Sequence, residues 1–314
     1  LSLSFPSAID VENFAKGRVK MIELRITDNM PVIGMKLKDL PGRYLQSVLI
    51  GAVLRDDKVI IPKGDFEINK DDIIYVLGNP SGLMNFLKLC DAAQVKIRNV
   101  MVVGAGRIAY YLLQMLHDMD IRTKIIEIDR EKCEEFIDLL PDSLIINGDG
   151  TDESLLQSEN IGEMDAFIAL TGMDEENLIA ALVAKQNGAK KVIAKISRTN
   201  YMSVIHKLGI DNVICPKLIT TGHILKFIRG NSVESLYRIV EGQAEILEFI
   251  ANRDSKIIDI PLKKLKFPQD AIIATIVRKN HVVIPHGNDI IKENDRVIII
   301  TKSNNISELD DLLQ

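Results

Sequence analysis

An internal repeat constrains this chain more than any other feature. Gly17–Leu24 returns 225 positions later as Gly242–Phe249, and Leu37-Lys38-Asp39-Leu40 returns at the same offset as Leu262-Lys263-Lys264-Leu265. After a two-residue length difference, Arg55–Gly64 matches Arg278–Gly287, and Asp71–Val76 matches Asn294–Ile299. Each copy is a series of short β-branched runs. Asp56-Asp57 and Lys279-Asn280 stand where a tight hairpin turn belongs, and a Pro-x-Gly marks the next turn. A last strand, Ile73–Leu77 or Val297–Thr301, precedes a short helical tail. Each copy therefore reads as a small α+β module. Two copies suggest a pseudo-symmetric protein rather than an enzyme with one unique site, although duplication for fold alone gives the same pattern.

The segment between the copies alternates β and α signals. Strands are expected at Val100–Val103, Lys124–Ile128, Ser143–Ile146, Ala166–Leu170, Val192–Ile196 and Asn212–Cys215. Helices are expected at Ile108–Met119, Arg130–Leu139, Asn177–Gln186 and Leu218–Ile228. This alternation implies a Rossmann-like, doubly wound parallel sheet. The fold class is thus α/β, with three parts: a first module over 1–91, a Rossmann-like domain over 97–230 and a second module over 231–314. The last helix, apolar on more than one side and closed by Arg229-Gly230-Asn231, can pack on its own domain or on a second subunit.

The first turn of the middle segment reads Gly104-Ala105-Gly106-Arg107-Ile108-Ala109, a GxGxxA. Gly104 permits the tight turn, Gly106 lets backbone approach a pyrophosphate, and Ala109 allows close helix–strand packing. The string follows a strand, opens a helix, and is followed 23 residues on by Glu127 at the end of the second strand. A carboxylate there accepts from ribose hydroxyls and repels a 2′-phosphate, so NAD or NADH is expected rather than NADP. Ligands of such sheets lie beyond the carboxyl ends of the strands, which adds Asp149, Thr171, Gly172 and Lys195 as candidates. The competing reading of Asp149 is helix capping with its neighbours, and that of Lys195 is a solvated surface charge.

Composition narrows the classes. Lys and Arg number 39 against 44 Asp and Glu, a net charge of −5, which argues against a polybasic nucleic-acid binder. The most apolar stretch, Val100–Leu116, holds Gly104, Gly106, Arg107 and Gln114 and cannot cross a bilayer unaided. Cys90, Cys133 and Cys215 form no CxxC and read as buried thiols of a reducing compartment. None of His117, His206, His223, His281 and His286 has metal-ligand spacing, and no nucleophile elbow or phosphate loop ending in Gly-Lys-Ser/Thr occurs. The weight moves from an NAD-dependent oxidoreductase toward a non-enzymatic ligand sensor. A structural assembly protein with a vestigial nucleotide fold is the third reading.

Gly104–Ile108, Lys124–Asp129, Gly148–Asp152, Ala166–Thr171, Asp174–Asn177 and Gly188–Ala194 together resemble the nucleotide-binding RCK/KTN domain of the TrkA family. The flanking copies are similar to the RCK C-terminal module. The resemblance implies a peripheral regulatory subunit on the cytoplasmic face of the cell membrane, docked on a TrkH-like potassium-translocating subunit and assembled as a homo-oligomer, a dimer or a higher ring. It implies NAD or NADH, with ATP or ADP as further ligands. Gly104, Ala105, Gly106, Arg107 and Ile108 would meet the phosphates and Glu127 the ribose. Thr171, Gly172 and Lys195 would meet the remaining cofactor surface, with Asp149 beside the third strand. Family chains carry two nucleotide domains, each with its module, so a further nucleotide domain is expected before Leu1.

Overall fold

The computed structural model describes residues 5, 7–42, 46–92, 96–201, 208–228, 232–303 and 305–313. The chain divides into two compact units. One joins Leu1–Gln94 with Thr220–Gln314, and the other is Val95–Ile219.

In the first module, β1 (Asp10–Phe14), β2 (Val19–Arg25), β3 (Val48–Arg55), β4 (Lys58–Ile60) and β5 (Ile73–Gly78) form an antiparallel sheet in the order β1-β2-β5-β3-β4. The β3–β4 hairpin turns on Asp56 and Asp57 with φ of 50° and 59°, as a two-residue type I′ turn requires. Helix α1 (Pro80–Leu89) follows, with Pro80 in its first turn and the Asn79 side chain accepting from the Gly82 N–H. Its Leu83, Phe86 and Leu87 cover one sheet face at Ile22, Leu24, Ile74 and Val76.

The middle unit holds β6 (Asn99–Val103), α2 (Arg107–Asp118), β7 (Arg122–Glu127), α3 (Arg130–Leu139), β8 (Leu144–Asn147), α4 (Glu153–Ser158), β9 (Ala166–Ala169), α5 (Asp174–Gln186), β10 (Val192–Lys195) and β11 (Asn212–Ile214). All six strands are parallel, in the order β11-β10-β9-β6-β7-β8. The order reverses between β6 and β9, which creates the crevice where such sheets take ligands. Ala180, Ala181 and Ala184 let α5 lie close on Phe167, Ala169 and Val192. Helix α6 (Pro216–Ile228) crosses the boundary between the units. Its Ile219, Ile224, Phe227 and Ile228 are exposed, and the expected stop at 229–231 lies outside the described residues.

Gly150 is held by packing. A Cβ there would stand 2.2 Å from Val103 Cγ1 at the buried end of β6. Gly150→Ala is expected to lower the unfolding free energy by about 1–3 kcal/mol, read from urea denaturation.

The second module repeats the first sheet with β12 (Val233–Ile239), β13 (Ala244–Ile250), β14 (Ala271–Arg278), β15 (His281–Val283) and β16 (Arg296–Thr301), ordered β12-β13-β16-β14-β15. Even the irregularity recurs, at Ile50/Ala52 in β3 and at Ile273/Thr275 in β14. The tails differ. In place of a helix, the second module ends in a 3₁₀ turn, Leu309–Leu312. Ile306, Leu309 and Leu312 are spaced by three, the period of a 3₁₀ turn, and all three are buried.

The two modules share a core. Val19, Met21, Ala52, Tyr75 and Leu77 pack with Ala244, Ile246, Ala274, Ile298 and Ile300. The polar contacts across this seam are pseudo-symmetric as well. The Arg18 guanidinium donates to Asn280 Oδ1 (2.9 Å) at one hairpin. Its repeat equivalent, Gln243, donates to the Asp57 carbonyl (2.9 Å) and accepts from the Val59 N–H (3.1 Å) at the other.

Candidate nucleotide site

The β6–α2 turn is built on backbone that only glycine adopts easily. Gly104 has φ +99°, and its N–H donates to the Ile126 carbonyl at 2.8 Å. A Cβ on Gly104 would lie 3.0 Å from the Thr171 nitrogen, so the loops after β6 and β9 touch at the sheet reversal. Gly106 is the N-cap of α2, and no side chain caps that helix. First-turn amides without a side-chain cap, at the positive end of a 12-residue helix, favour an anion. A Cβ on Gly106 would meet no atom within 4 Å. The Arg107 side chain is exposed and has no ion-pair partner among the described residues; Ile108 is exposed beside it.

Glu127, at the end of β7, is 8% exposed. Its Oε2 accepts from the Ala105 N–H at 2.6 Å and its Oε1 from the Asp129 N–H at 2.9 Å. The carboxylate thus braces the glycine turn, and each oxygen keeps a lone pair for a further donor. The neighbouring backbone is tied down in turn, since Asn147 Nδ2 donates to the Glu127 and Ile128 carbonyls at 3.0 Å each.

The structure joins the other expected residues unevenly. Asp149 is engaged in its own turn: Oδ1 accepts from the Thr151 N–H and hydroxyl, both at 2.8 Å. Those bonds hold its pKa below the usual carboxylate value. The helix cap expected as its alternative role falls instead to Asp152, which accepts from the Ser154 N–H at 2.9 Å. Thr171 and Gly172 follow β9, and a Cβ on Gly172 would also meet nothing within 4 Å. Lys195 closes β10, half-buried, with no ion-pair partner among the described residues for its ammonium.

Two residues that the sequence reading did not single out as site residues organise this wall. Asn177 in α5 is fully buried. Its Oδ1 accepts from the Thr171 N–H (2.8 Å), and its Nδ2 donates to the carbonyls of Thr171 (3.2 Å) and Lys195 (2.9 Å). Asp174, also buried, accepts from the Ser197 and Arg198 N–H groups at 2.8 Å each. The available signal was spacing: 174, 177, 181 and 184 fall on one helical face, so two polar residues share the stripe of buried alanines.

Two depressions of about 400 and 300 Å³ lie away from these residues. One is lined by His117, Leu140 and Asp142, the other by Asn99, Arg122 and Leu144. His117 is exposed, 3.8 Å from Asp142, and His206 lies outside the described residues. All three cysteines are free and buried. Among the described residues no cluster of three or more His, Cys, Asp or Glu is placed to hold a metal, and no helix is long and apolar enough to cross a membrane.

Family models match in the same arrangement: a TrkA-N domain over residues 100–216, and a TrkA-C domain over 21–91 and again over 246–314. A Trk system potassium uptake protein TrkA homolog of Methanosarcina mazei is 37% identical over 311 residues, covering 98% of this chain and 68% of its own length. The chain belongs to the TrkA family. The Archaeoglobus fulgidus TrkA homolog is 33% identical, with 99% of this chain and 70% of its own length covered. The chain thus spans about two thirds of the length of these TrkA relatives. In fold it is similar to the GsuK RCK domain (TM-score 0.52, 15% identity, 96% of this chain and 65% of that one). It is likewise similar to a GsuK channel bound to NAD (TM-score 0.51, 16% identity, 96% and 54%).

Proposed function

We propose that this TrkA-family chain is a non-enzymatic regulatory component of a potassium-uptake system. It binds NAD or NADH, with ADP or ATP as competing ligands, at the carboxyl ends of β6, β7, β9 and β10. Occupancy biases a TrkH-like potassium-translocating subunit of the membrane, with the chain docked peripherally on its cytoplasmic face as a homo-oligomer. The modules at 1–91 and 231–314 flank the nucleotide domain at 97–230. The observation that carries this reading is the α2 N-terminus without a side-chain cap, entered through Gly104 and Gly106 on a turn that Glu127 braces. Relatives named for potassium uptake favour regulation over the oxidoreductase alternative.

Calorimetric titration with NAD, NADH, ADP, ATP and NADP tests it. NAD or NADH is expected to bind at least about 10-fold more tightly than NADP, because the Glu127 carboxylate opposes a 2′-phosphate. Glu127→Gln removes that charge and is expected to weaken NAD by about 10-fold, the worth of one charge-assisted hydrogen bond. Absence of binding by all five nucleotides overturns the proposal.

A further inference from the structure

We propose that Asn177 is the positioning residue that sets the preference for a dinucleotide over a mononucleotide at this site. The inference rests on the reading above that the site takes nucleotides.

A doubly wound sheet offers two nucleotide-sized halves, one over each side of the strand reversal. ADP can be held by one half: its phosphates on α2 and its ribose on Glu127. The second half of a dinucleotide must lie over β9 and β10, against Thr171, Gly172 and Lys195. Sheet pairing does not hold those residues to one another. The β9–β10 ladder ends at the pair Ala169 and Ala194, before Thr171 and at the threshold of Lys195. Beyond it, the Asn177 amide takes over. Its one acceptor holds the Thr171 N–H, and its two donors hold the Thr171 and Lys195 carbonyls. No other side-chain chemistry of that size supplies one acceptor and two donors. Asp174, one turn earlier, fixes Ser197 and Arg198 just past Lys195. Gly172 has open space at its Cα and the Lys195 ammonium has no ion-pair partner among the described residues, while the Asn177 side chain makes its hydrogen bonds to Thr171 and Lys195 and none to β6–β8 or α2.

The test is the pair of dissociation constants for NAD and ADP, measured by calorimetry on the full chain. In Asn177→Asp the acceptor remains and both donors are lost. NAD is expected to weaken about 10-fold, with ADP within about twofold of wild type. Asn177→Ala should move NAD further in the same direction. Gly172→Ala guards against a folding failure, because its Cβ meets no protein atom within 4 Å. It too should weaken NAD and spare ADP. Parallel losses for NAD and ADP, or no change in either, overturn the inference while leaving nucleotide binding intact. A wild-type chain that binds ADP but not NAD overturns it as well, and one that binds neither overturns both readings.

Discussion

A Gly106→Ala chain is expected to unfold at the wild-type temperature and to lose nucleotide affinity by about 100-fold or more. The two halves of this expectation have separate causes. Gly106 has φ −99°, which any residue adopts, and a methyl there meets no protein atom within 4 Å, so nothing in the fold opposes it. That same empty space is where a pyrophosphate must come against the backbone to reach the first-turn amides of α2. Gly104→Ala should behave in the opposite way. Its φ of +99° and the Thr171 nitrogen at 3.0 Å lower stability by roughly 1–3 kcal/mol before any ligand is added. Thermal unfolding and calorimetry on the two variants separate the effects. Wild-type affinity in Gly106→Ala would remove α2 as the phosphate site.

The second large effect is on stability against pH. Glu23 lies in the seam between the modules, 8% exposed, opposite Asp10 on β1 and Tyr75 on β5. Asp10 accepts from the Tyr237 hydroxyl at 3.0 Å, and Glu12 lies on the same face of β1. Burial first, and then the Asp10 charge, push Glu23 up to about 8; burial and Asp10 likewise raise Glu12 to about 7, against opposing pulls on Glu23 from Arg25 and the Tyr75 hydrogen bond. The repeat supplies an internal control. Glu248 is the equivalent of Glu23, but it is paired with Arg296 and accepts from the Ala15 N–H. The first module has Ile73 where the second has Arg296.

A carboxyl whose folded pKa exceeds its unfolded value binds its proton more tightly in the folded state. Its favourable contribution is complete below about 4.5, declines as pH rises, and is gone above about 8. The wild type is therefore expected to lose on the order of 3–5 kcal/mol across that window through Glu23. Glu12 adds a smaller loss in the same direction because solvent screens it more. Glu23→Gln should flatten the profile and raise stability at pH 8, measured by urea unfolding at a series of pH values. Glu248→Gln should destabilise instead, because it removes the more buried of the two carboxylates that pair with Arg296, leaving only Glu234 at 3.2 Å. An unchanged profile in Glu23→Gln would place the titrating group elsewhere.

Much of this was legible in the sequence. The strands and the Gly104–Glu127 constellation follow from periodicity and from glycine chemistry at fixed spacing, both of which are local. The seam is not local. Met21-Ile22 and Ile246-Leu247 are apolar at consecutive positions, which in a strand means that both faces are buried, but nothing in the run says what covers the second face. Arg18 and Gln243 differ in charge and shape, yet both donate to the opposite hairpin. Asn177 was hidden for a related reason. An asparagine in a helix reads as surface until the two carbonyls and the amide that it satisfies are brought to it by separate strands.

The shared core also orders events during synthesis. The first module's inner face is completed by strands about 225 residues further along, with the whole of Val95–Ile219 made in between. At roughly 5–20 residues per second, Met21 and Leu77 wait some tens of seconds for Ile246 and Ile300 to leave the ribosome. The nucleotide domain, closed on its own contacts, can fold during that interval. Until then the inner face of the first module lacks the strands that cover it.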